Sequence, residues 1–313
     1  MKRNSMFRKV QLRNFLFFLI LPCFQACNLS FVEEVETDRL DTDIKKLVVL
    51  SFISPQDSMI RVHVSLSDPS LGVLPVNYFD RKPGVLKGAT VIISNGQQQG
   101  SLSYMEIDDE SEIEKYPGGG YYGIPFRDFP IEAGKTYYLT VSSPQAKTVT
   151  AFCTVPFEPP VLEIEVFKYD DGHNFRKKLG VESRWQSKSS YTSYYSYQIV
   201  SKHSMEYYGD STGSVNIYQR TIVKEFIRDA EEEKKRFTYR TALDFSVFYE
   251  QHRDYAREKN VVEVFLLNTD ELYYKYHQSL AHYKENIFTE PFQVPTNIEG
   301  GLGVFSAYNM RMV

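Results

Sequence analysis

Apolar and polar positions alternate with period two along most of the chain, the signature of half-buried strands rather than helices. Leu47-Val48-Val49-Leu50-Ser51-Phe52-Ile53 runs into the turn signal Ser54-Pro55-Gln56-Asp57. Met59 to Leu66 follows, with Ile60, Val62, Val64 and Leu66 on one face. Ala89 to Ser94 meets Asn95-Gly96, a pair that tolerates positive φ at both positions and so predicts a two-residue hairpin returning through Ser101 to Met105. Beyond the glycine-rich Pro117–Gly120 come Tyr121 to Ile124 and then Thr136 to Val141, the latter fed by Glu132-Ala133-Gly134-Lys135. A glycine turn leading into a strand that opens with tyrosine resembles the tyrosine corner of immunoglobulin-like sandwiches. Lys147 to Val155 closes a unit of about seven short strands, for which an immunoglobulin-like β-sandwich over residues 44–156 is the economical reading.

Pro156-Phe157-Glu158-Pro159-Pro160 removes backbone donors and stiffens the chain, so a domain boundary is expected there. Residues 157–313 read as a second β-rich domain, sandwich-like or α+β. Val161 to Phe167, Tyr191 to Val200 and Val215 to Ile227 have strand patterns. Val261 to Leu267 is apolar enough to lie centrally in a sheet, and Trp185 is expected in that core. Thr269-Asp270-Glu271 supplies a cap and an acidic first turn for a helix near 270–286, with Leu272, Tyr276, Leu280 or Tyr283, and Ile287 along one stripe. Between Asp229 and Arg257 the pattern is mixed: Glu231 to Arg236 reads as a solvated loop, and Phe245 to Lys259 as room for a second short helix. Gly300, Gly301 and Gly303 permit positive φ or close backbone approach, letting a last strand from Val304 to Tyr308 enter a sheet after a tight bend. A backbone-lined anion site is the functional alternative for the same glycines.

The N-terminus changes the picture from fold to address. Lys2, Arg3, Arg8, Lys9 and Arg13 precede the apolar run Phe15 to Leu21 and then Phe24-Gln25-Ala26-Cys27, the layout of an export signal ending in a small residue before cysteine. Residues 1–26 are therefore read as a lipoprotein signal peptide and Cys27 as the lipidation site. An ordinary secretory signal without lipid is the alternative. A membrane span is the weaker one, since the apolar stretch holds Pro22 and is far shorter than the ~20 residues a bilayer requires. Residues 27–43 hold six acids and the single base Arg39, and read as a solvated tether that anionic head groups repel. Losing the five leader bases moves the net charge from −4 to about −9, which argues against nucleic acid as a partner. Of three cysteines, Cys23 follows Pro22 and Cys153 lies in phase with Val149, Ala151 and Val155, so Cys153 is expected as a small buried apolar residue.

Candidate chemistry is sparse. None of His63, His173, His203, His252, His277 and His282 forms an i, i+4 metal pair, and there is no Cys-x-x-Cys, Gly-x-Ser-x-Gly or phosphate loop. Asp108-Asp109-Glu110 and Asp170-Asp171 are carboxylate clusters that fit solvated loops, with a glycosidase-like pair or a calcium loop as alternatives. Tyrosines gather at Tyr191, Tyr194, Tyr195, Tyr197, Tyr207 and Tyr208, and at Tyr121 and Tyr122. They read as cross-strand packing, with a shelf for glycan or peptide as the functional alternative. No catalytic, cofactor-binding or metal residue is assigned, and no cofactor is expected.

The acidic tether behind Ala26-Cys27, the Leu47-Val48-Val49 strand with Phe52-Ile53-Ser54-Pro55, Gly134-Lys135-Thr136-Tyr137, Cys153-Thr154-Val155-Pro156 and the closing Asn297-Ile298-Glu299-Gly300-Gly301-Leu302-Gly303-Val304-Phe305 together resemble a family of uncharacterised outer-membrane lipoproteins widespread in Bacteroidota. The closing run is the most specific of these motifs. After Leu243-Asp244-Phe245 the chain departs from the resemblance, carrying Ser246 to Glu250 where a glycine turn is expected. Genes of that family often stand beside a TonB-dependent transporter. The resemblance thus implies a non-enzymatic accessory or ligand-binding lipoprotein at the outer membrane, partnering such a transporter in nutrient uptake. A structural or adhesive envelope lipoprotein is the alternative, and a glycan-active hydrolase the remoter one.

Overall fold

The computed structural model describes residues 45–67, 84–107, 119–169, 178–187, 192–207, 215–229, 236–243, 256–282 and 294–313. The alternation of the first half becomes seven strands: β1 (Leu47–Ile53), β2 (Met59–Leu66), β3 (Thr90–Ser94), β4 (Gln99–Glu106), β5 (Gly120–Pro125), β6 (Thr136–Ser143) and β7 (Ala146–Thr154). The second half supplies β8 (Glu163–Tyr169), β9 (Lys178–Gln186), β10 (Ser193–Tyr207), β11 (Val215–Asp229), β12 (Arg236–Leu243), β13 (Ala256–Thr269), helix α1 (Glu271–His282) and β14 (Leu302–Met312). The protein is mainly β, with a β-sandwich-like fold and one helix toward the C-terminus among the described residues.

One sheet of eleven strands runs β11-β10-β13-β14-β1-β2-β5-β4-β3-β6-β7, and β12-β9-β8 form a second sheet. The large sheet curls on itself. Thr150 of β7 exchanges backbone hydrogen bonds with Glu299, just ahead of β14, so its edge strand returns to the β14–β1 pair. The enclosed core takes alternate residues of both layers, including Leu47, Val49, Val62, Val91, Leu139, Val149 and Phe305. Cys153 belongs to this core, and burial pushes its thiol well above the ordinary range. Tyr137 also lies in it: its hydroxyl donates to Pro130 O at 3.2 Å and accepts from the Glu132 N–H at 2.7 Å, the upstream backbone clasp of a tyrosine corner.

A second core lies between the small sheet and the inner face of β10 and β13. Trp185 of β9 stacks on Tyr197, Phe237 and Tyr239 at centroid distances of 5.5, 5.2 and 5.5 Å. Beneath it the Tyr197 hydroxyl donates to Ser183 Oγ at 2.7 Å. Two cores thus lie largely on either side of Pro156, but β14 amends the division drawn there. It runs parallel to β1, with Val49 opposite Gly303 and Ser51 opposite Phe305, and puts Ile298, Phe305 and Ala307 into the first core. Residues Ile44–Val313 form one compact unit. The physical reason is the second edge of β1, whose backbone donors and acceptors are paired by β14 and by no strand of the first half.

Three local expectations change. The hairpin turn is centred on Gly96-Gln97 rather than Asn95-Gly96: Asn95 N–H donates to Gln98 O, and positive φ falls on Gly96. Asn95 instead accepts the Gln97 and Gln98 N–H groups on its side-chain oxygen. Residues 256–259, expected at the end of a short helix, belong to β13, paired with β10 from Ala256 to Thr269. Helix α1 docks through Tyr273, Tyr276 and His277, leaving Leu280 42% exposed, so the buried stripe is aromatic rather than aliphatic.

Candidate functional site

Titratable and aromatic groups meet at the junction where α1, β14 and the β1–β2 turn converge. The turn residues Ser54 to Asp57 are polar because they must answer a neighbouring strand's side chains. Gln56 donates from Nε2 to Asn309 Oδ1 at 2.8 Å and accepts the Met310 N–H at 3.0 Å, while Asn309 reaches Pro156 O at 3.0 Å. Turn, strand and the proline linker are fastened together through one buried asparagine. Beside them the Tyr308 hydroxyl donates to both Asp57 oxygens, at 3.0 and 3.2 Å. Burial raises the Asp57 carboxyl, the Tyr308 and Arg61 contacts offsetting part of the shift, and burial beside Asp57 pushes both Tyr308 and Tyr273 upward.

Asp270 serves two masters. It caps α1, its Oδ1 accepting the Tyr273 N–H at 2.8 Å, and it takes the Ser306 hydroxyl and, at 2.8 Å, the Ala307 N–H of β14. Burial raises its carboxyl while these donors pull the other way. Helix and last strand are therefore positioned by one carboxylate. On the helix, His277 packs against Phe52, Phe226 and Tyr273 at 4.9, 5.7 and 4.3 Å. Its Nε2 has no partner among the described residues, and burial, with the nearby Lys224 ammonium, pushes its pKa down to about 4.

This environment sets a pH response. An unfolded histidine titrates near 6.5, so between that value and about 4 the unfolded chain takes up the proton first. The stabilisation is full above pH 6.5 and lost as pH falls through about 4, by roughly 2 kcal/mol once partial exposure is allowed for. Urea midpoints measured from pH 7 to 4 should fall more steeply for the natural chain than for His277→Phe. Parallel slopes would contradict the assignment. His63, also pushed down by burial, contributes the same sign in both proteins.

The other sequence candidates scatter. Tyr122 is buried in the first core and donates to Leu86 O at 2.7 Å, Tyr195 and Tyr197 line the second core, and Tyr194 packs at a tilt against Tyr274 of α1, ring centroids 5.2 Å apart. The tyrosine clusters thus serve packing in these described positions. Cys27, Asp108-Asp109-Glu110, Asp170-Asp171, His173, His252, Tyr191, Tyr208 and most of the expected 245–259 helix lie outside the described residues, as do the leader and tether. Among the described residues no three His, Cys, Asp or Glu side chains are grouped to hold a metal ion. The glycines before β14 serve the β1 contact: a Cβ on Gly303 would lie 2.0 Å from Val49 O, and one on Gly301 2.7 Å from Leu47 O.

Sequence reading missed the exposed aromatics. Tyr138 of β6 and Phe152 of β7 are 51% and 63% exposed, with ring centroids 6.3 Å apart on the outer face. The strand alternation carried that signal, since both fall on positions facing away from the core.

A family model described as a domain of unknown function, DUF4249, matches residues 32–312. The chain belongs to that family. The match takes in both cores and β14, so the DUF4249 unit includes the returning strand as well as the first seven. None of the curated proteins compared with the chain matches it.

Proposed function

We propose that this DUF4249 chain is a lipid-anchored accessory or ligand-binding protein of the outer membrane, partnering a TonB-dependent transporter rather than catalysing a reaction. The observation that carries the reading is the basic, then apolar leader ending in Ala26-Cys27. The resemblance of the closing Asn297 to Phe305 run to outer-membrane lipoproteins supports it. Acyl chains on Cys27 confine the protein to the membrane surface, each buried methylene contributing about 0.8 kcal/mol, and raise its effective concentration beside the transporter.

Membrane fractionation of the natural chain and Cys27→Ser tests the anchor. The natural protein is expected in the membrane pellet, with diacylglycerol on an N-terminal Cys27 by mass spectrometry, and the variant in the soluble fraction. An unacylated N-terminus at another position overturns it. Purification from detergent-solubilised membranes tests the partner, and repeated recovery without a transporter removes that half of the proposal.

A further inference from the structure

The outer face of β4-β3-β6-β7 carries no charge, although 24% of the chain is Asp, Glu, Lys or Arg. One rung across the four strands reads Gln99, Ser94, Tyr138 and Phe152, and the next reads Ser101, Ile92, Thr140 and Thr150. A third, across β6 and β7, pairs the Thr136 and Thr154 hydroxyls at 2.8 Å. At the hairpin end Gln97 and Gln98 add exposed amides. Charges stand at the border: Glu299 reaches Thr150 Oγ1 from beyond β7 at 3.2 Å, Lys135 pairs with Glu132 below the β6 end at 2.6 Å, and exposed Lys147 and Glu106 sit at the ends of β7 and β4, in phase with the inward-facing residues. Ordinary solvated sheet faces mix charges of both signs, so a face of hydroxyls, amides and two exposed rings needs a reason.

We propose that this face binds an uncharged polysaccharide, the Tyr138–Phe152 pair stacking on sugar rings while the flanking threonine, serine and glutamine side chains exchange hydrogen bonds with sugar hydroxyls. Pyranose rings present apolar C–H faces rimmed by hydroxyls, the complement of aromatic rings set among neutral donors and acceptors. The absence of charge selects against carboxylated or sulfated chains, whose desolvated anions would find no partner. Size argues in the same direction. Four strands about 4.8 Å apart and some seven residues long give roughly 400 Å², well below the ~800 Å² each partner gives to a stable protein interface, yet room for a run of sugar rings. The inference deepens the ligand-binding half of the proposed function and rests on it.

Affinity electrophoresis of the full-length protein in detergent, in gels containing amylopectin, galactomannan or mixed-linkage β-glucan, tests it, with polygalacturonate as the charged counterpart. At least one neutral polymer is expected to retard the protein, and polygalacturonate is not. The double variant Tyr138→Thr/Phe152→Thr, which keeps strand propensity on an exposed face, should weaken binding about tenfold or more, as loss of aromatic anchors does. Val166→Thr, on the exposed β8, should leave retardation unchanged. No retardation by any neutral polymer, retardation indifferent to the double variant, or preference for polygalacturonate overturns the proposal. So does self-association by sedimentation velocity that the double variant abolishes, which would make the face a contact between copies. Failure of any of these leaves Cys27 acylation and transporter co-purification standing, and failure of those leaves retardation readable.

Discussion

Replacing Gly303 by alanine is expected to cost about 4 kcal/mol or more, enough to leave a marginally stable chain largely unfolded. Gly303 has φ +102°, which strains any side chain. The more serious obstacle is Val49: the added methyl would sit 2.0 Å from its carbonyl oxygen and 3.0 Å from its nitrogen. Neither backbone can retreat, because Val49 sits opposite Gly303 in the parallel ladder and opposite Val64 in the antiparallel one. Gly300→Ala is the matched control. Gly300 also has positive φ, +80°, but a Cβ there meets nothing closer than 3.7 Å, so only backbone strain of ~1 kcal/mol remains. Urea unfolding of the two variants should differ by several kcal/mol, and equal losses would show that the β1–β14 contact has been misread.

Trp185→Ala should cost about 3–5 kcal/mol through the cavity it opens in the second core. The indole is 2% exposed and lies among four other rings, those of Tyr195, Tyr197, Phe237 and Tyr239, so little can collapse into its place. Trp185→Phe should lose less, about 1 kcal/mol, because the buried indole Nε1 has no acceptor among the described residues and its removal relieves that penalty. Thermal melts of the three proteins check the order. A phenylalanine variant as damaged as the alanine one would mean that the nitrogen is bonded in solution.

Much of the first core was legible because period-two alternation directly encodes which side of a strand faces inward. Ile60, Val62 and Val64 are buried as their spacing demands, and Cys153 follows Val149 and Ala151. The partner of β1 was not legible: a parallel pairing between Ser51 and Phe305 leaves no trace in either segment's local period. The helix was legible from Asp270 and its acidic first turn, but its docking face was not. Counting aliphatic residues favoured Leu280, whereas Phe52 and Phe226 present rings that Tyr273 and His277 meet better. The uncharged outer face was written in the same alternation, on the positions that a search for core residues passes over.

The return of β14 to β1 also dictates an order of events during synthesis. Gln56 and Asn309, which clasp each other, are 253 positions apart. Chain emerging N-terminus first from a ribosome exposes β1 long before the strand that shields it, and closing so large a loop is entropically slow. The leading module therefore stays incomplete until β14 has emerged, so removing that strand alone would be a lesion of the module that opens with β1.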